Sequence, residues 1–320
     1  MTLADRPPWR ASMELGDFDG FEAAFGKWNG RFSQMSRGSF RGRLSVASGR
    51  HLRAFRAETN QSILTQGAAD EDSVTVIPVT RGSEGTRWHG RMLERGDLLI
   101  RGTAVEYDNQ SSRDACIEAL LVPKRLIERS CEILTDGEMR LDWASWHGLR
   151  PDPASTRRLY RRLSALLLQP RPGIRSHEAM YDEAETLRCI VDALSSAAGL
   201  SARPFRAGSR DRLVARAKAC MQDRLSEPLT AMDLCASLGV SDRLLRLAFK
   251  EAHGMGPMAY LRLLRLHAIR DALRAARDRD IRVGEILDCH GITRPAAFAG
   301  EYRRHFGELP SETLGLRERY

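Results

Sequence analysis

No run of apolar residues in this chain is long enough to cross a bilayer, so no membrane-spanning helix is expected. The first twenty residues, MTLADRPPWRASMELGDFDG, carry acids and lack an apolar centre. They do not read as a secretory signal, and a cytoplasmic location is the default expectation. Cysteine is sparse: Cys116, Cys131, Cys189, Cys220, Cys235 and Cys289 form no C-x-x-C pair and stand beside no histidine at metal-ligand spacing. Reduced, mostly buried thiols are expected rather than a disulfide framework or a zinc site. A surplus of positive charge is also missing from most of the chain. Residues 1–200 hold 28 Lys+Arg against 27 Asp+Glu, whereas residues 201–320 hold 22 against 15. Nearly all of the net +8 therefore lies in the last third, which points to a polyanionic partner, most simply nucleic acid.

The 320 residues, 42% hydrophobic and 29% charged, suit a soluble chain of two ordinary domains. From about Ser39 to Pro123 the text is one of short strands: FRGRLSVAS, SVTVIPV, DLLIRG and CIEALLV, separated by Gly, Asp and Ser. Such spacing predicts a barrel or sandwich of jelly-roll type, with a hairpin at Gly96-Asp97 in MLERGDLLI. After Pro123 the period becomes helical in PKRLIERSCEIL, ASTRRLYRRLSALLL and SHEAMYDEAETLRCIVDALSSAA. The last of these puts Met180, Ala184, Leu187, Val191 and Leu194 on one stripe. That stripe either packs on its own barrel or pairs two copies as a dimer seam. The Gly/Ser/Pro/Arg-rich segment 199–210, GLSARPFRAGSR, reads as a boundary. The domains expected are thus 1–198, for sensing and dimerisation, and 211–320.

The last third contains a duplication. LRLAFKEAHGMGP (245–257) carries Leu245, Phe249, Gly254 and Pro257; FAGEYRRHFGELPS (298–311) carries Phe298, Tyr302, Gly307 and Pro310. The steps of four, five and three residues are the same in both, so a repeated unit is expected. A short helix and a glycine turn precede each copy: LTAMDLCASLGVS turns at Gly239 and VGEILDCHGIT at Gly291. Thr230 and Asp233 are spaced as a capping box, and Ser241 and Thr293 stand where the next helix should be capped. The glycine turns lie 52 residues apart and the later markers 53, so the second turn holds one extra residue. Short helix, turn and capped second helix make up a helix-turn-helix, expected twice, at about 230–254 and 283–307. Between them MAYLRLLRLHAIRDALRAA is an unbroken helix of roughly 28 Å. Two readers on such a rod suit successive major grooves about 34 Å apart.

The side chains available to DNA follow from the helical stripe. With Leu245, Ala248, Phe249 and Ala252 inward, the outer face of the first reader offers Arg243, Arg246 and Lys250, flanked by Ser241, Asp242 and Leu247. Arginine can take guanine bidentately and Lys250 can hold a phosphate. With Phe298, Tyr302 and Phe306 inward, the second reader offers Thr293, Arg294, Ala296, Ala299, Gly300, Arg303 and Arg304. This is a poorer set, suited more to positioning than to base discrimination.

On these residues the C-terminal 110 positions resemble the AraC/XylS family of bacterial transcription regulators. The resemblance implies promoter binding, commonly activation through RNA polymerase, and a small-molecule effector pocket in the barrel-like N-terminal region. Leu247 stands where the family usually has a basic residue, and Ile292 where it usually has an aromatic. Trp88 and Tyr107 are named as candidate lining of the effector pocket, with core aromatics as the plainer alternative. A cupin-type metal-dependent enzyme is the rival reading, yet the region offers only His51 and His89, far apart. No catalytic residue, metal or cofactor is therefore expected. An architectural DNA binder without an effector is the second rival, set against the two hundred residues that precede the reader.

Overall fold

A computed structural model describes residues 9–25, 30–68, 71–102, 106–139, 141, 143, 148–168, 176–199, 209–277, 279 and 281–315. The leader 1–8 and residues 200–208 of the expected boundary lie outside the described residues. Two compact units are present. The first comprises Met1–Phe32, Arg41–Trp88 and Met92–Arg206; the second comprises Ser33–Phe40, His89–Arg91 and Ala207–Tyr320.

The first unit is β-rich. Its strands, with Ser33 and Gln34 of β2 and Arg91 of β8 counted in the second unit, are β1 (Trp9–Leu15), β2 (Gly30–Gln34), β3 (Gly42–Ser48), β4 (Arg53–Thr59), β5 (Ile63–Ala68), β6 (Ser73–Pro78), β7 (Arg87–Trp88), β8 (Arg91–Met92), β9 (Leu98–Arg101), β10 (Glu106–Gln110), β11 (Ala115–Pro123) and β12 (Gly148–Leu149). They form a seven-stranded sheet in the order β1-β3-β4-β11-β6-β9-β12 and a five-stranded sheet in the order β2-β5-β10-β7-β8. Helices α1 (Phe18–Phe25), α2 (Lys124–Leu134), α3 (Pro153–Leu168) and α4 (Ser176–Gly199) complete it.

Strand alternation divides the large sheet into two faces. Ala54, Val74, Val76, Leu98, Ile100, Leu120 and Val122 share the face that packs against Ile127 of α2, Leu159 and Leu163 of α3, and Ile190 and Leu194 of α4. Each such leucine, fully buried, contributes roughly 1.5–3 kcal/mol. On the same face Arg56 Nε donates to Glu118 Oε1 at 2.6 Å, and the Ser164 hydroxyl of α3 donates to Glu118 Oε2 at 3.2 Å. The carboxylate is thus buried with its lone pairs occupied, which a buried charge requires.

Two expectations are corrected here, and between the two readings of the α4 stripe the structure favours packing within its own unit. The β-rich part starts at Trp9, well before Ser39. WRASMEL has no Val, Ile or Thr, and residues 11–14 are exposed on an edge strand, so no alternation marks it. The hairpin expected at Gly96-Asp97 is instead a passage between sheets: β8 belongs to the small sheet and β9 pairs with β6 in the large one. Gly96 does make the turn, at φ 95. The α4 stripe is not an open dimer seam. Leu187, Val191 and Leu194 are buried in their own unit's core, leaving Ala184 exposed. The side chain of Met180 lies outside the described residues.

The second unit is helical: α5 (Ser209–Asp223), α6 (Ala231–Leu238), α7 (Asp242–His253), α8 (Pro257–Ala275), α9 (Val283–Cys289), α10 (Pro295–Phe306) and α11 (Pro310–Leu314). α8 is the expected rod of 19 residues. Its Tyr260 meets Phe249 edge-on at 5.5 Å, while Leu266, Ile269 and Leu273 join Ile286, Leu287, Phe298, Tyr302 and Phe306 in a second cluster. The Tyr302 hydroxyl hydrogen-bonds the Thr313 hydroxyl at 2.8 Å, pinning α11 to α10.

Two buried histidines stand against that cluster, with ring centroids 5.2 Å (His267) and 4.7 Å (His305) from Phe306. Burial lowers His267 to about 3 and His305 to about 4, so both fold as neutral imidazoles. Depressed folded values place their contribution above the ordinary 6.5 and remove it as pH falls toward 4. The wild-type melting temperature should therefore fall across pH 6.5 to 4 more steeply than that of a His267→Gln/His305→Gln variant. Equal slopes in a pH series of thermal melts would contradict this.

Candidate nucleic-acid interface

The first helix pair is built by its caps. Thr230 Oγ1 accepts from the Asp233 amide at 3.2 Å, while Asp233 Oδ2 accepts from the Thr230 amide at 2.8 Å, so α6 opens on a reciprocal box. The same Thr230 donors hold the Asp233 carboxyl below its usual range. α6 stops because Gly239 takes a left-handed conformation, φ 67 and ψ 37, which side-chain-bearing residues avoid. Ser241 then caps α7, accepting from the Leu244 amide at 3.3 Å.

The two faces of α7 separate as its periodicity requires. Leu245, Ala248, Phe249 and Ala252 are buried. Ser241, Asp242, Arg243, Arg246, Leu247 and Lys250 are all exposed. Arg246 Nε donates to Asp242 Oδ2 at 2.6 Å, one helical turn back, which restrains the guanidinium along the outer face. Lys250 Nζ donates to the Gly254 carbonyl at 2.9 Å and so closes the helix's own C-terminus. Leu247 is 42% exposed in the middle of these charges, an apolar surface with no internal packing role.

The second pair follows the first with one difference. α9 ends at Cys289, His290 caps it, and Gly291 turns at φ 69. Helix α10 then starts at Pro295, with Arg294 as its N-cap and no side-chain cap. Thr293 was the expected cap and is exposed one residue too early. The extra residue sits between Gly291 and Pro295, where the spacing placed it, and proline's fixed φ suits the first helical position. Phe298, Tyr302 and Phe306 are buried. Arg294, Ala296, Arg303 and Arg304 are exposed, but Ala299 and Gly300 are half-buried, so the outer surface of α10 is narrower than expected. Ile292 packs against the cluster that Phe298 and Tyr302 build, as a core residue would.

The paired candidates in the first unit also come together. Trp88 and Tyr107 are both buried, their rings 6.4 Å apart and 14° from parallel. The Arg101 guanidinium lies 4.3 Å from the Tyr107 ring centre and 5.9 Å from that of Trp88. Sequence reading missed Arg101; its only signal is a charge closing the apolar run DLLIR. His51 is exposed and His89 sits in a turn at φ 44. Among the described residues no group of three His, Cys, Asp or Glu is placed to hold a metal ion. All six cysteines are unbridged, although two rather than most of them, Cys131 and Cys189, are buried. Among the described residues no helix is long and apolar enough to cross a membrane.

Residues 234–315 match a helix-turn-helix domain family. Over 94 residues the chain is 34% identical to the probable thc operon regulatory protein of Rhodococcus erythropolis, which is 29% of this chain and 28% of that protein. Over 86 residues it is 36% identical to the regulatory protein HrpB of Ralstonia nicotianae, covering 27% of this chain and 18% of that one. The chain thus spans less than a third of either relative. A solved probable AraC family transcriptional regulator from Rhodopseudomonas palustris is 30% identical, with 98% of its chain and 33% of this one covered, at a TM-score of 0.31. The helix-turn-helix region of this chain, residues 234–315, belongs to the AraC/XylS family of transcriptional regulators.

The two turns can be told apart by substitution. Alanine at Gly239 meets nothing within 4 Å and should cost only the left-handed backbone, about 1–2 kcal/mol. Alanine at Gly291 would also place its Cβ 2.8 Å from the Ser226 carbonyl oxygen and should cost more. Denaturant unfolding of Gly239→Ala and Gly291→Ala gives the order; the reverse order would contradict the assignment of the turns.

Proposed function

We propose that the protein is a sequence-specific DNA-binding transcriptional regulator, an activator whose action responds to a small molecule. On this reading α6–α7 and α9–α10 are two helix-turn-helix units, with α7 and α10 entering successive major grooves of promoter DNA. The carrying observation is the outer face of α7, where Arg243, Arg246, Leu247 and Lys250 are exposed opposite a fully packed apolar stripe. Arg243 and Arg246 read base edges, Leu247 offers a surface to a thymine methyl, and Lys250 and Ser241 face phosphates. The second unit, with Ala296 and Ala299 beside Arg294, Arg303 and Arg304, positions more than it specifies.

The first unit is read as a jelly-roll, cupin-like effector domain, supported by its two sheets and the aromatic pair Trp88 and Tyr107. RNA polymerase as a partner and a cytoplasmic location belong to the same reading. A homodimer is part of the same reading, but the buried α4 stripe does not supply its surface. Ile133 and Leu134 at the end of α2, 64% and 49% exposed, are better placed for it.

Arg246→Ala should weaken binding to a cognate promoter fragment by about 1–3 kcal/mol and leave binding to random duplex much less changed. A gel-shift titration on both duplexes decides. Equal loss on the two would make Arg246 a phosphate contact rather than a reader.

A further inference from the structure

Ser33–Phe40 belongs to the second unit, although the strand that leads into it, β2, begins in the first. Within the second unit this segment meets the C-terminal end of α10. The last carbonyls of an α-helix have no donor of their own. α7 satisfies its end from within: the Gly254 amide donates to the Lys250 carbonyl at 3.0 Å, and Lys250 Nζ to the Gly254 carbonyl at 2.9 Å. α10 ends on the same kind of left-handed glycine, Gly307, whose amide donates to the Arg303 carbonyl at 2.8 Å. Its His305 carbonyl is instead closed from far away in the chain. The Gly38 amide donates to it at 3.0 Å and Gln34 Nε2 at 2.7 Å.

Gln34 is fully buried, and both of its polar ends are committed to this junction. Besides His305, its Nε2 reaches the Ser36 carbonyl at 2.9 Å and the Gly38 carbonyl at 2.7 Å, so two N–H groups serve three acceptors. Its own main-chain carbonyl accepts from His305 Nε2 of α10 at 2.9 Å and from His267 Nε2 of α8 at 3.0 Å. One residue therefore holds His305 by ring and by carbonyl, and ties α10 to the rod α8. Gln34 Oε1 is buried and meets no donor among the described residues, which is a cost. An apolar side chain of the same size would avoid that cost, so it is the two amide donors that suit glutamine to this place. Ser39 stands against Gly307: a Cβ there would collide with the Ser39 side chain and lie 2.9 Å from its Cα. In the repeat, 53 residues earlier, Ala252 stands where His305 does, so the first reader has no ring to make this grip.

We propose that Gln34 is a positioning residue for the second reader: through His305 and His267 it fixes the angle of α10 on α8, and α10 enters its groove only while that grip holds. The proposal rests on the reading of α10 as a helix that enters DNA. Gln34 itself, with no exposed surface, touches neither base nor phosphate. It acts at the opposite end of α10 from Arg294 and Ala296. The helix has 12 residues and is about 18 Å long, so a tilt of about 10° at the gripped end moves the other by about 3 Å. A shift of that size takes a side chain out of hydrogen-bond range of a base edge.

The test uses the full-length chain and a duplex that the wild type selects from a random pool. Gln34→Met keeps the volume and removes both donors. Amide hydrogen exchange in α10 should quicken about tenfold or more, while α7, the reference within the same molecule, keeps its wild-type rates. Hydroxyl-radical footprinting should show two successive grooves protected by the wild type. Gln34→Met should lose the groove of α10 and keep that of α7. Ser39→Leu, at an exposed position, should wedge the segment away from Gly307 and give the same one-sided loss, which covers a Gln34→Met chain that fails to fold. Unchanged exchange in α10, equal acceleration in α7 and α10, or loss of both grooves together overturns the proposal. A wild-type footprint of one groove overturns the reading of α10 as a reader and this proposal with it. Two grooves protected by the wild type and by both variants overturn this proposal alone.

Discussion

Burial of one apolar–aromatic pair per helix, Leu245 with Phe249 and Phe298 with Tyr302, sets the rotation of both candidate readers. Residues four apart lie one above the other on a helix, so fixing that pair inward sends positions one and two away from the stripe outward. Everything chemical about α7 follows from that rotation. Had the helix turned by one residue, Arg246 would point into the core, at a cost no cap could offset. The buried aromatics of α8 complete the constraint, because Tyr260 packs on Phe249 and the following turns of the same helix join the second cluster. One rigid element thus carries the orientation of both helix pairs.

The helical third was largely legible because its signals are local. Capping boxes, glycine turns and a 3.6-residue stripe act within one or two turns of chain, and Thr230, Gly239 and Ser241 take the roles their types suggest. The one miss there, Thr293, came from reading a cap by analogy where an inserted residue had moved the helix start to Pro295. The β-rich part was legible only in its buried strands. β6, β9 and β11 announce themselves because both sides are covered, whereas edge strand β1 carries no pattern to read. Sheet membership was beyond reach altogether: whether MLERGDLLI folds back or crosses to another sheet depends on partners far away in the chain.

The candidate site divides the same way. Arg243, Arg246 and Leu247 could be placed outward from helical spacing alone. Trp88 and Tyr107 could be named but not paired, and Arg101 could not be found, since its company is drawn from three strands of two sheets. The α4 stripe marks the limit of periodicity as evidence. A stripe of Leu187, Val191 and Leu194 says that something covers the helix, and only the fold says that the cover is the chain's own sheet and helices.

An uncharged side chain at the centre of the α7 face has a consequence for solution behaviour. Each lysine or arginine that neutralises a phosphate releases condensed counterions from the duplex, and each adds about 0.9 to the slope of affinity against ionic strength. Leu247, with 42% of its surface exposed, releases none. On the proposed reading of α7, that position would add methyl contact and water release in place of the salt-dependent step that a lysine or arginine would supply.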